Sequence, residues 1–141
     1  MTFLHDTDLA LLIDRFMRSI HFGLQERSPS FDRKGVGPSG GMIVLTLADT
    51  GQISLNELTK RVARDKSQMT RMIASLETKG LIARKSSPND GRVSLVSLTP
   101  EGMSVADELM QAVANVVGEI LDPLSPGERE NLKSLLHRAI G

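Results

Sequence analysis

Apolar positions recur along the chain with two periods, and each period predicts a different kind of element. Leu9, Leu12, Ile13, Phe16, Met17 and Ile20 fall at helical spacing, which predicts an amphipathic helix from roughly Asp6 to Gln25. Ser28 to Gly41 is rich in Ser, Pro and Gly and reads as a loop. A second helix carries Met42 to Ala48 and stops near Gly51. Ser54-Leu55-Asn56-Glu57 has the spacing of a capping box, in which the Ser hydroxyl and the Glu carboxylate each accept the other's amide. A short third helix follows it, with Leu55, Leu58 and Val62 inward. Asp65 and Gln68 repeat the cap spacing and open a fourth helix, whose inward face is Met69, Met72, Ile73 and Leu76. Gly80 suits the position just past its end.

The period then shortens. Leu81 to Lys85 and Val93 to Leu98 are β-like runs joined by Ser86-Ser87-Pro88-Asn89-Asp90-Gly91-Arg92, a stretch with strong turn chemistry. Thr99-Pro100 supplies an N-cap with Pro at the first helical position. The helix it opens carries Ala106, Leu109, Met110, Val113, Val116, Val117 and Ile120 on one stripe and ends at Pro123. Ser125-Pro126-Gly127-Glu128 is a further capping box, and Leu132, Leu135, Leu136 and Ala139 form the last apolar face. Two short helices joined by a tight turn and followed by a basic hairpin have the layout of a winged helix-turn-helix. The fold class is mainly α, formally α+β.

With 141 residues the chain is predicted to be one domain with helical extensions, and at 40% hydrophobic it has enough apolar material for a core. The longest apolar run, Leu9 to Ile13, is far short of a membrane span, and the first residues carry no basic stretch of a secretory signal. Zero cysteines exclude disulfides and thiolate chemistry within this chain. A cytoplasmic protein that needs no membrane is expected.

Seventeen basic and seventeen acidic residues cancel overall, but they are not evenly spread. From Lys60 to Arg92 nine basic residues stand against three acidic ones, while the remainder has eight against fourteen. A basic centre between acidic ends suits one face built for an anionic partner; the plainer reading is chance segregation on a solvated surface. Opposite the inward face of the fourth helix lie Ser67, Arg71, Ala74 and Thr78, flanked by Gln68 and Thr70, with Lys66 at its start. No carboxylate points outward there, and the small residues permit close approach to a major groove. Arg71 is suited to guanine, Gln68 to adenine, and Ser67 and Thr70 to bases or phosphates. At the hairpin tip Arg92 is suited to a narrow minor groove, with Asp90 holding either Arg92 or Arg84 of the neighbouring strand in a fixed orientation. A solvated helix and an ordinary turn are the structural alternatives.

Leu76-Glu77-Thr78-Lys79-Gly80-Leu81-Ile82, then Asn89-Asp90-Gly91-Arg92, then Leu98-Thr99-Pro100-Glu101-Gly102 resembles the MarR family of bacterial transcriptional regulators. The match runs from about Ile43 to Gly102, while the flanking helices agree in position and length. The resemblance implies a homodimer of one MarR-like domain over 1–141. Residues 1–30 and 100–141 would supply long N- and C-terminal dimerisation helices, and 38–99 the DNA-binding lobe. It implies a sequence-specific double-stranded DNA-binding regulator, a ligand-responsive repressor of a pseudo-palindromic operator, and not an enzyme. Lys66, Ser67, Gln68, Thr70 and Arg71 take the recognition-helix role, and Arg92 the wing role with Asp90 and Arg84 in support. Relatives released by small aromatic or phenolic anions imply an effector zone at Phe16, Ile20, Met42 and Met110, for which plain core packing is the simpler reading. Independently, a helix of about 22 residues, roughly 33 Å long, is too long for one small lobe to cover, which favours a second copy. The alternative function is a winged-helix module that docks on protein without specific DNA readout.

Two motifs suggest other chemistry. Gly35-Val36-Gly37-Pro38-Ser39-Gly40 fits a dinucleotide fingerprint, and Gly37-Pro38-Ser39-Gly40-Gly41 fits a nucleophile elbow. Both need a preceding strand, and Phe31-Asp32-Arg33-Lys34 does not predict one. The simpler expectation is a flexible loop and a Pro-initiated helix start, whose amides are candidates for a DNA phosphate. His5 and His21 would lie roughly 24 Å apart on one continuous helix, and with His137 they make no metal-binding spacing. No cofactor and no metal are expected.

Overall fold

A computed structural model of the chain describes residues 6–32 and 34–141. It divides into two compact units: one takes the chain up to Arg27 and again from Ala112, the other takes Ser28–Gln111. The elements in order are α1 (Thr7–Phe31), α2 (Gly37–Thr50), β1 (Ile53–Ser54), α3 (Leu55–Val62), α4 (Lys66–Thr78), β2 (Ile82–Ser86), β3 (Ser94–Leu98), α5 (Pro100–Ile120) and α6 (Pro126–Ile140). Both unit boundaries fall inside a helix, where the sequence offers no break.

The Ser28–Gln111 unit is built on one core. Ile43, Val44 and Leu47 of α2, Leu58 and Val62 of α3, and Met69, Ile73 and Leu76 of α4 are buried together with Leu81, Ile82, Val96 and Ala106. Leu55 and Met72 pack half-buried against them, so the inward faces of the helix-turn-helix are those the periodicity predicts. Local chemistry places both helix starts. Ser54 Oγ accepts from the Glu57 N–H at 3.1 Å, and Asp65 Oδ1 from the Gln68 N–H at 2.8 Å. The reciprocal capping box forms at α6, where Ser125 and Glu128 exchange both bonds; at α3 only the serine's half is made.

α4 ends in a Schellman motif. Gly80, at φ +77°, gives its N–H to Glu77 O at 2.9 Å, and Leu81 gives its own to Leu76 O at 3.0 Å. The hydrophobic contact that accompanies this motif is available, because Leu76 and Leu81 are both buried. Thr99, the residue before α5, then locks onto this end: its hydroxyl donates to Gly80 O at 2.6 Å and accepts from Gly102 N at 3.0 Å.

The sheet has three antiparallel strands in the order β1-β3-β2. Two come from the predicted hairpin, with Ile82 opposite Leu98 and Ser86 opposite Ser94. The third, β1, is the two residues before α3, with Ile53 opposite Val96. It went unpredicted because a two-residue strand has no period of its own and exists only through its partner.

The stretch Ser28 to Gly41, expected to be a loop, is mostly helical. α1 runs on through Pro29 to Phe31, closed by the Asp32 N–H on Ser28 O at 2.8 Å, and α2 starts already at Gly37. Packing explains why glycines sit in α2: a β-carbon on Gly40 would stand 2.7 Å from Val36 Cγ1, and one on Gly41 3.0 Å from Leu109 Cδ2. Close approach of neighbouring groups overrides the poor helix propensity of glycine here.

In the other unit α1 passes close to the second half of α5. Gly23 is buried, and a β-carbon there would meet Val116 Cγ1 at 2.7 Å; Arg27 pairs with Glu119 one turn further on and donates to Gly23 O at 3.0 Å. Along α1, Leu9, Leu12, Ile13 and Met17 are exposed in the single chain, as are Leu135, Leu136 and Ile140 of α6. α6 has no buried residue, although an apolar face was predicted for it. No helix among the described residues is long and apolar enough to cross a membrane.

Candidate nucleic-acid interface

α4 offers one buried and one open face. Lys66, Ser67, Gln68, Thr70 and Arg71 are all exposed along its first two turns, continued by Ala74 and Thr78. The Thr70 and Thr78 hydroxyls donate back to Lys66 O and Ala74 O, with oxygens 2.9 Å apart in each case, so each hydroxyl oxygen keeps its capacity to accept. Among the described residues Lys66, Gln68 and Arg71 have no side-chain hydrogen bond or ion pair, so all three heads are available to a ligand.

At the wing tip Asp90 holds Arg92. Asp90 Oδ1 accepts from the Arg92 backbone N–H at 3.0 Å and from Nε at 3.2 Å, while Oδ2 accepts from Nη2 at 3.3 Å. The guanidinium first, and then the amide, keep the Asp90 carboxyl below the ordinary aspartate range, so it stays charged at neutral pH. Arg92 itself remains 92% exposed, a projecting cation with a fixed base. Of the two arginines considered for Asp90, the structure selects Arg92. Arg84 faces elsewhere: its Nη2 and Nε approach Glu77 Oε1 of α4 at 2.9 and 3.1 Å.

The other candidates do not join this face. Phe16 and Ile20 are half-buried on α1 in one compact unit, whereas Met42 and Met110 are exposed on α2 and α5 of the other. Two of the amides at the start of α2 are already taken, because Asp32 Oδ1 accepts from Val36 N at 2.8 Å and Oδ2 from Gly37 N at 2.9 Å. Pro38 has no N–H to add, and the carboxylate beside this helix start disfavours a phosphate there. Gly35 to Gly41 runs from the turn after α1 into the first turns of α2, with no strand before it among the described residues, the wrong setting for either glycine motif. His21 and His137 are exposed, His5 lies outside the described residues, and no group of three or more metal-ligating side chains occurs among those described.

The sequence pattern of the MarR family matches residues 39–94, from the first turn of α2 to the first residue of β3. An HTH-type transcriptional regulator of Mycobacterium tuberculosis is 33% identical over 128 residues, covering 91% of this chain and 85% of that one. The chain belongs to the MarR family. It is also 31% identical to the HTH-type transcriptional regulator YdgJ of Bacillus subtilis, of whose length it spans 63%. Among solved structures, a MarR variant of Escherichia coli complexed with operator DNA superposes with a TM-score of 0.73 at 26% identity, covering 95% of this chain and 94% of that one. BpsR of Bordetella bronchiseptica, whose DNA binding is regulated by 6-hydroxynicotinic acid, gives 0.72 at 25% identity, with 95% and 99% covered. This MarR-family chain is therefore a winged-helix transcriptional regulator. The Glu77–Arg84 pair between α4 and β2 was not expected from the sequence; a seven-residue gap spanning a helix end and a strand gives no periodic signal.

Proposed function

We propose that the protein binds double-stranded DNA as a homodimer at a pseudo-palindromic operator and acts there as a cytoplasmic repressor that a small molecule releases. The observation carrying this reading is the open face of α4, where Lys66, Gln68 and Arg71 are exposed and uncommitted beside a wing whose Arg92 projects. Ser67, Gln68, Thr70 and Arg71 read base edges in the major groove, Lys66 meets phosphate, and Arg92 enters the minor groove with Asp90 fixing its base. The exposed apolar residues of α1 and α6 supply the material for a dimer contact. Release by a small molecule is supported by the likeness to BpsR.

Arg71→Ala and Arg92→Ala test the reading, each measured for duplex binding and for association state by sedimentation equilibrium. Arg71→Ala is expected to cost about 1–3 kcal/mol of operator binding and to relax the preference for one base pair. Arg92→Ala should weaken the preference for an A·T-rich flank, and both variants should stay dimeric. Unchanged duplex binding in both would move the function to docking on protein.

A further inference from the structure

We propose that the Glu77–Arg84 ion pair is a positioning brace that sets the wing against the recognition helix. It thereby fixes the spacing between the bases read in the major groove and the step read in the minor groove. This rests on the DNA-binding role proposed above and adds a determinant of operator specificity that touches no base.

The cations of this unit separate into two groups. The side chains of Lys60, Arg61, Arg64, Lys66, Arg71 and Lys85 have no hydrogen bond or ion pair among the described residues, and these residues are exposed. Lys34, Lys79, Arg84 and Arg92 are each bound within the chain, to Glu101, Gly35 O, Glu77 and Asp90. Of this second group Arg84 alone ties α4 to a wing strand. Among the described residues its pair is the one side-chain hydrogen bond or ion pair between α4 and either β2 or β3.

The geometry suits a brace better than a DNA contact. Two nitrogens of a planar guanidinium approach one oxygen, Glu77 Oε1, at 2.9 and 3.1 Å, which fixes direction as well as distance. The side chains are about one third exposed, at 37% and 35%, so solvent screens the pair only in part. Strand register places Arg84 opposite Val96 and on the same face of β2 as Ile82, both of which are buried. Arg84 thus continues the core-side face over the end of α4, while Lys85 points from the opposite face and is free. The chain between α4 and β2 is only Lys79 to Leu81, a tight pivot at the Schellman end. A bond seven residues across that pivot limits how far the hairpin can swing about it. Because the Glu77 carboxylate balances the Arg84 charge, the arginine offers little to a phosphate.

The test uses the full-length protein and a duplex recovered by selection from a random library. Minor-groove contact is read by hydroxyl-radical cleavage and major-groove contact by guanine methylation. Glu77→Arg and Arg84→Glu are each expected to lose protection of the flank while keeping guanine protection, with binding weakened about tenfold. Combining the two reversals restores the pair with opposite polarity and the native net charge, and should regain both flank protection and affinity. The uncharged combination Glu77→Gln with Arg84→Gln should lose flank protection, and it keeps the test open if a single reversal unfolds in a thermal melt. Its salt dependence should match that of the native protein, whereas loss of a phosphate contact would lower the slope by about 0.9. The brace is overturned by flank protection that survives in the single reversals, by a folded double reversal that stays weak, or by that fall in slope. Failure of the native protein itself to protect any duplex would instead remove the DNA-binding reading on which the brace stands.

Discussion

Gly102 lies so close to the backbone carbonyl of Leu81 that a β-carbon built on it would stand 2.1 Å from that oxygen. This contact gives a physical reason for the Leu-Thr-x-x-Gly sequence at the start of α5. The Leu81 carbonyl accepts the Thr99 N–H at 3.0 Å, Thr99 caps the Gly102 N–H and also donates to Gly80 O, so the end of α4 and the start of α5 share one joint. Gly80 and Gly102 are needed there for different reasons, the first for its φ of +77° and the second for space.

Gly102→Ala is therefore expected to destabilise the protein by about 2–3 kcal/mol, as a methyl group forced against a backbone oxygen must move the helix or the turn. Urea unfolding checks this, and a loss within experimental error of zero would mean that the joint yields freely.

Ala63, in the turn between α3 and α4, has φ 55° and ψ 43°, a left-handed conformation in which an ordinary side chain is strained. Ala63→Gly is expected to raise stability by about 1 kcal/mol. A lower urea midpoint for the variant would contradict this.

How legible these features were in the sequence depended on how local their causes are. The starts of α3, α4 and α6 could be read because Ser54, Asp65 and Ser125 cap amides three residues on. Asp90 and Arg92 could be paired because they are two residues apart in one turn. The helical character of Ser28 to Gly41 could not, since glycine's poor helix propensity argues against it, while the crowding by Val36 and Leu109 that leaves no room for a β-carbon at Gly40 and little at Gly41 shows only in the folded chain. β1 was missed for the same reason, as it exists only opposite β3. Likewise the choice of Glu77 as partner for Arg84 depends on the turn between them.

Asp90 provides a pH prediction of definite sign. Arg92 lowers its folded pKa, so the favourable contribution is complete above the unfolded value and disappears only as pH falls through the lowered one. In an NMR titration the Asp90 carboxyl should titrate below a free aspartate, and Arg92→Ala should return it upward. The same sign applies to Glu128, lowered by its bonds with the Ser125 backbone and hydroxyl, so the α6 cap should likewise hold at neutral pH and weaken in acid. An Asp90 titration that Arg92→Ala leaves in place would refute the hold.

Leu135 and Leu136 are 50% and 43% exposed on a helix without buried residues, and in the proposed homodimer they would meet the second copy. Leu136→Glu would put a charge into that contact, at a cost of several kcal/mol for an unpaired buried carboxylate. Sedimentation equilibrium at micromolar concentration should find monomers, with operator binding lost alongside the dimer. A dimer as tight as the native one would place the contact elsewhere.

The most direct test of the central claim is to select from a random duplex library with the purified protein at two salt concentrations and sequence what is retained. A symmetric dimer reading DNA through α4 and the wing predicts an enriched inverted repeat, with half-site centres about 10 bp apart. Retention without a shared motif, lost steeply as salt rises, would contradict it and leave only a nonspecific basic face.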